Sequence, residues 1–177
     1  GESIGDWPLY ERARLGLSYL PQESSVFKKL SVWDNLLMIL QYTDRSPAQV
    51  KERAQELMDD FGISHLRDSM AMHLSGGERR RLEIARALIR EPKFVLLDEP
   101  FAGIDPLAVD DIQGLIIRLK ERNIGIVISD HNVRETLNIC DRAYIVYEGR
   151  AILNGTPEEI AVNPQARRVY LGEDFCL

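Results

Sequence analysis

Residues 74–105 read LSGGERRRLEIARALIREPKFVLLDEPFAGID. Ser75 and Glu78 stand in S-x-x-E spacing, the pattern by which a hydroxyl and a carboxylate satisfy the free N–H groups of a helix start. Gly76 and Gly77 leave that start bare of side chains, and bare N–H groups with the helix dipole behind them suit an anion such as phosphate. Leu82, Ala85, Leu88 and Ile89 recur at helical spacing and predict one buried face, with Glu91-Pro92 ending the helix. Phe94-Val95-Leu96-Leu97 is apolar without alternation, which predicts a central parallel strand covered on both faces. Asp98 and Glu99 follow at the carboxyl end, where ligands of such sheets bind. One carboxylate there can hold Mg²⁺ and a second can orient or deprotonate a water. Taken singly, each feature has an ordinary explanation: S-x-x-E is a cap, and acids after a strand form a solvated turn. The ordered combination is the specific signal.

The rest of the chain bounds what can surround this stretch. Its 177 residues, 45% hydrophobic and 28% charged, suffice for a real core. A net charge of -6 argues against a general phosphate-backbone binder, and Arg79-Arg80-Arg81 reads as the solvated face of an amphipathic helix. Two cysteines, Cys140 and Cys176, make no disulfide framework. No apolar run is long enough to span a membrane. Composition points to a soluble protein of a reducing compartment.

Upstream, residues 1–13 read as a polar lead-in and Leu15–Leu20 as a strand, stopped by Pro21. Gln22 then offers a carbonyl to a metal and an amide to a water. Phe27, after Val26, is either local core or an exposed anchor for a partner's helix. Ser31 and Asp34 cap a helix through Leu40, with Leu36, Leu37 and Ile39 inward. Ser46-Pro47 opens another, striped by Val50, Ala54, Leu57, Met58 and Phe61 and ended by Gly62. A shorter helix is expected over 64–69.

Downstream, Asp105-Pro106 opens a helix whose buried face is Val109, Ile112, Leu115, Ile116 and Leu119, and a strand follows over Ile126–Ser129. Asp130-His131 lies just past that strand; His65 and His73 lack such a context and read as structural. A helix over Val133–Cys140, a hairpin turning at Glu148-Gly149-Arg150, a capping box at Thr156–Glu159 and a last helix over Pro164–Leu171 complete the chain.

In this order the motifs resemble the nucleotide-binding domain of ABC transporters. Leu74–Glu78 matches the signature motif, Phe94–Glu99 the Walker B strand, and Ala102–Asp105 the D-loop position. Gln22 falls at the Q-loop and His131 at the H-loop. The resemblance implies an α/β, P-loop NTPase core with an α-helical subdomain. Residues 1–30 would be a core segment with the Q-loop, and 31–90 the helical subdomain ending in the signature helix. Residues 91–155 would be the α/β core with Walker B, D-loop and H-loop, and 156–177 a C-terminal helix and tail.

The resemblance also implies ATP and Mg²⁺, bound between two subunits of a homodimer. Ser75, Gly76, Gly77 and Glu78 would contact the partner's nucleotide, and Asp105 would couple the two sites. Asp98, with Gln22 nearby, would hold Mg²⁺. Glu99 would polarise the water, and His131 would steady the γ-phosphate. Transmembrane permease subunits would dock coupling helices near Gln22, Val26 and Phe27, at the cytoplasmic face of the inner membrane. No nucleic acid partner is expected.

Beyond the shared motifs, SYLPQE, LSVWDNL, DHNVRETL and VYLGEDF resemble the ABC ATPases that power lipopolysaccharide export. The AG-x-x-P pattern after Walker B is also similar to ATPases of branched-chain amino-acid importers. The 177 residues hold no G-x-x-x-x-G-K-[ST] phosphate loop. The expectation is a C-terminal part of the domain, inactive by itself. Apolar surface would lie open beside Val95–Leu97, so that the chain pairs with another copy or is poorly stable. Two readings from other classes stay open. A non-transport ABC ATPase would act on nucleic acid or ribosomes, and an interaction module would dock without catalysis.

Overall fold

The computed structural model of the chain describes residues 3–172 and Phe175. The chain packs as two units, Gly1–Ser129 and Asp130–Leu177. In the first, helix α1 (Leu9–Arg14) leads into strand β1 (Leu17–Leu20). The strand starts two residues later than Leu15 because Gly16 takes a φ of 95° and its carbonyl accepts from the N–H groups of Lys93 and Phe94 at 2.8 and 3.0 Å. A Cβ at Gly16 would stand 3.2 Å from the Lys93 nitrogen, so glycine permits this close approach.

Helix α2 (Val32–Leu40) is capped by Ser31, whose hydroxyl accepts from the Asp34 N–H. It buries Val32, Asn35, Leu36 and Leu40, while Leu37 and Ile39 are half-buried. Helix α3 (Pro47–Asp60) has the Ser46/Gln49 capping box and Pro at its first turn, and Gly62 follows at a φ of 64°. Of the expected stripe, Ala54, Leu57, Met58 and Phe61 are buried and Val50 is half-buried. The helix expected over 64–69 is instead a single tight turn, Ser64–Leu66, with a second, Ala71–His73, beyond it. The cause lies in α2, whose first N–H groups need acceptors. Val32 and Trp33 donate to the carbonyls of Ser69 and Arg67 at 3.0 and 3.1 Å, and Ser31 bridges Met70, which draws these carbonyls away from a continuous helix.

Helix α4 (Gly76–Ala87) buries Leu82, Ile84 and Ala85, and Leu88 and Ile89 continue the buried stripe in the turn beyond. It ends before Glu91, which takes a φ of 51° ahead of Pro92, a residue whose preceding neighbour is disfavoured in the right-handed helical region. Strand β2 (Phe94–Asp98), helix α5 (Pro106–Glu121) and strand β3 (Gly125–Ser129) follow. The buried face of α5 is the expected set of five.

The strands form a parallel sheet in the order β1-β2-β3, with Leu20 opposite Leu97 and Asp98 opposite Ser129. Helix α4 packs on β1 and α5 on β3. Ser18 donates to the Ala87 carbonyl of α4 at 2.9 Å, and Val95 and Leu97 are buried on this face. The opposite face is open. Tyr19, Phe94 and Val127 are about half exposed there, with Leu96 between them. The expectation that β2 is covered on both faces is therefore corrected: Val95 and Leu97 are covered, while Phe94 and Leu96 lie on the open face.

In the second unit, helix α6 (Val133–Leu137) stops short of the expected Cys140. Strands β4 (Ala143–Tyr147) and β5 (Arg150–Gly155) pair antiparallel across Glu148-Gly149, at φ 47° and 75°, the signs that a two-residue hairpin turn requires. Helix α7 (Pro157–Val162) carries the Thr156/Glu159 capping box. The last predicted helix breaks into α8 (Pro164–Ala166) and a widened turn over Arg167–Leu171. Leu137, Ile145, Ile160 and Ala166 form the core, with Phe175 against it. Of the predicted tail, Glu173, Asp174, Cys176 and Leu177 lie outside the described residues.

Candidate functional site

Parallel pairing puts the carboxyl ends of β1, β2 and β3 on one rim of the first unit. Gln22 follows β1, Asp98 closes β2 and Glu99 comes next. The structure brings these three together. The Gln22 amide Nε2 donates to Glu99 Oε2 at 2.6 Å. Tyr19 Oη donates to Asp98 Oδ2 at 3.0 Å, and the Ser129 hydroxyl donates to the other carboxylate oxygen. These two donors hold the Asp98 carboxyl below its ordinary range, Ser129 having the larger effect, and the bond to Asp98 pushes the Tyr19 hydroxyl up.

Glu99 has a φ of 43°. Its N–H donates to the Ser129 carbonyl at 2.7 Å and its carbonyl accepts from Ala102 at 3.1 Å. A non-glycine residue fixed at positive φ by bonds on both sides is a strained position of the kind that collects at functional sites. Tyr19 and Ser129 were not picked out from sequence. The signal was available in the parity of the strands: Tyr19 and Asp98 share the open face of the sheet.

The helix start at 75–78 is built as its spacing predicts. The Ser75 hydroxyl accepts from the Glu78 N–H at 3.3 Å, and the Glu78 carboxylate accepts from the Ser75 N–H at 2.8 Å. That backbone bond is the main reason the Glu78 carboxyl sits below its usual range. The two glycines have a second use, internal to the chain. A Cβ on Gly76 would stand 2.8 Å from the Gly103 carbonyl oxygen, and one on Gly77 would stand 2.9 Å from Ala108 Cβ. Gly77 is buried, Gly76 half-buried and Ser75 exposed. Asp105 caps α5 by accepting from the Leu107 N–H at 2.9 Å. The segment 103–108 thus lies directly on the start of α4.

His131 belongs to the second unit, beside Asp130, with Nδ1 3.8 Å from Asp130 Oδ1, and its side chain is exposed. Of the three residues near which a partner was expected to dock, Val26 is buried, while Gln22 and Phe27 are exposed, Phe27 by 41%. The guanidinium of Arg86, another residue missed in the sequence, lies 5.0 Å from the Phe27 ring centre and donates to the Ser25 carbonyl at 2.6 Å. A cleft of about 280 Å³ lies near Pro92 and Ile124, at the other ends of the strands, and holds none of these groups.

Residues 2–102 match the sequence family described as ABC transporter. The chain belongs to that family. A second match, over residues 152–176, is to the family described as branched-chain amino acid ATP-binding cassette transporter. The lipopolysaccharide export system ATP-binding protein LptB of Escherichia coli K12 is 59% identical over 99% of this chain and 73% of its own length. The Haemophilus influenzae protein of the same name is 54% identical over 100% of this chain and 74% of its own. A probable ABC transporter ATP-binding protein of Azorhizobium caulinodans is 53% identical over 100% and 63%.

Among solved structures, MJ1267, an ATP-binding cassette of an ABC transporter, superposes with a TM-score of 0.84 at 28% identity, covering 97% of this chain and 75% of that one. CbiO1 of Clostridium perfringens, part of the ABC transporter complex cbiONQ, gives 0.79 at 30%, covering 89% and 64%. The fold is therefore that of a P-loop NTPase with a helical subdomain. ABC proteins of this class are ATPase subunits that work with transmembrane partners. Among the described residues no helix is long and apolar enough to cross a membrane.

Proposed function

We propose that this chain is the ATP-hydrolysing part of a transporter that exports lipopolysaccharide, working as a homodimer at the cytoplasmic face of the inner membrane. The observation that carries the reading is the 59% identity, across nearly the whole chain, to a lipopolysaccharide export ATP-binding protein.

The rim supports the chemistry. Asp98 and the Gln22 carbonyl are hard oxygen donors, and one carboxylate beside a neutral oxygen suits Mg²⁺, which keeps its remaining positions for phosphate and water. Bound there, Mg²⁺ would neutralise charge on the phosphates. Gln22 holds the Glu99 carboxylate through its amide, and Glu99 itself turns off the strand at positive φ. Glu99 then accepts a proton from, or orients, the attacking water. His131 donates to the γ-phosphate. The exposed Ser75, with Gly76, Gly77 and the Glu78 cap, presents the positive end of α4 to the nucleotide held by the other subunit. Asp105, on the segment packed against that helix start, links the two sites. Phe27, backed by Arg86, is the contact for a coupling helix of the membrane subunit, beside Gln22.

The test is a chimera in which residues 3–172 replace the matching span of the Escherichia coli relative, in cells depleted of their own copy. Restored growth, with lipopolysaccharide at the surface, is expected. A second reading is favoured by the match at 152–176: the ATPase of a branched-chain amino-acid importer. It expects no such rescue, and restored leucine uptake when the same residues are placed in an importer ATPase.

A further inference from the structure

Arg80 and Glu83 are two charged side chains of α4 in the interior, 5% and 4% exposed. They face each other one turn apart, Arg80 Nη1 to Glu83 Oε2 at 3.2 Å. A buried ion pair is a weak source of stability, because taking both charges from water offsets their attraction. The bonds it makes beyond itself suggest another use. Arg80 Nη1 donates to the Pro21 carbonyl at 3.2 Å, the residue before Gln22. Its Nη2 donates to the Asp98 carbonyl at 2.9 Å, the residue before Glu99. Glu83 Oε1 accepts from the Ser24 hydroxyl at 2.8 Å and the Ser25 N–H at 3.0 Å, on the far side of Gln22.

We propose that Arg80 and Glu83 are positioning residues for hydrolysis, a buried clamp that fixes the backbone on both sides of Gln22 and in front of Glu99 and so sets the Gln22–Glu99 contact. The idea rests on the ATPase reading above. The clamp is mounted on the helix that starts at Ser75. A shift of α4 along its axis therefore pulls both carbonyls together and changes the alignment of the rim. Only a planar fork can reach two carbonyls and a carboxylate at once; an ammonium at this place satisfies fewer of them.

The test uses the full-length protein co-purified with its membrane subunits. Arg80→Lys keeps the charge and the partner Glu83 but cannot span both carbonyls. It is expected to fold, with a somewhat lowered melting temperature from the lost buried hydrogen bond, and to lower kcat about tenfold at unchanged KM for ATP. The double variant Arg80→Met, Glu83→Leu replaces the pair by apolar bulk, which buried sites commonly tolerate. It is expected to stay folded and to show the same loss of kcat.

Full activity of either variant, or a loss confined to KM or to melting temperature, overturns the clamp. Hydrogen exchange separates this from failure of the ATPase reading. Faster exchange at the Ser25 and Glu99 amides in Arg80→Lys supports the clamp even if the parent complex hydrolyses no ATP; unchanged exchange counts against it.

Discussion

At the scale of single residues, Asp98 and Glu99 are adjacent in sequence and differ in how they are held. Asp98 ends a strand and takes a hydroxyl on each oxygen; Glu99 turns off the strand at positive φ and takes an amide. Glu99→Gln in the full-length protein should slow ATP turnover at least ~10²-fold, the scale of losing one charged transition-state contact, and near-normal turnover would reject Glu99 as the base. Asp98 allows a pH test. Its carboxyl titrates below the usual 3.8 in the fold, so the stabilisation from its two donors is present above that value and lost as pH falls through the lowered one. Tyr19→Phe should bring the Asp98 carboxyl resonance to titrate nearer 3.8. The melting temperatures of parent and variant should differ at neutral pH and converge in acid.

Gln22, Asp98 and Glu99 were legible because each follows a strand that its own neighbours announce. Tyr19 and Arg80 were not, since their partners arrive from 79 and 18 positions away, through strand register and helix packing; Arg80, read with Arg79 and Arg81 as a solvated face, is in fact buried.

Among the elements, the start of α4 shows two demands on the same pair of glycines. Alanine would favour a helix by about 1 kcal/mol over glycine. At Gly76 it would also press on a backbone carbonyl, which has no side-chain freedom to yield. Gly76→Ala should therefore lose about 1–2 kcal/mol in urea unfolding rather than gain, as overpacking does. A gain would mean that segment 103–104 moves easily.

Most elements could be read ahead from local chemistry. Ser31, Ser46, Ser75, Asp105 and Thr156 all cap as their spacing predicts. The stretch 64–69 misled because its carbonyls serve α2, a demand invisible within the stretch itself. The apolar run of β2 gave the strand and its central place but not its exposure, since a run without alternation says nothing about what lies over each face.

For the whole molecule, the sheet is covered by helices on one side and shows Tyr19, Phe94 and Val127 on the other. The 177 residues also contain no phosphate loop. Calorimetric titration of this chain alone with Mg-ATP should show no micromolar binding, because that loop supplies most phosphate contacts in this fold. Saturation at micromolar nucleotide would mean that the rim and the α4 start bind phosphate unaided.

The parallel pairing has a consequence for biosynthesis. Gln22 and Glu99 are 77 positions apart. A ribosome that has just released β1 must therefore translate the entire helical stretch before the neighbouring strand emerges. At about 5–20 residues per second that is a delay of several seconds, with one strand waiting unpaired. A trailing helix such as α3, complete on its own caps, can form in the meantime; the rim of Gln22, Asp98 and Glu99 is assembled late.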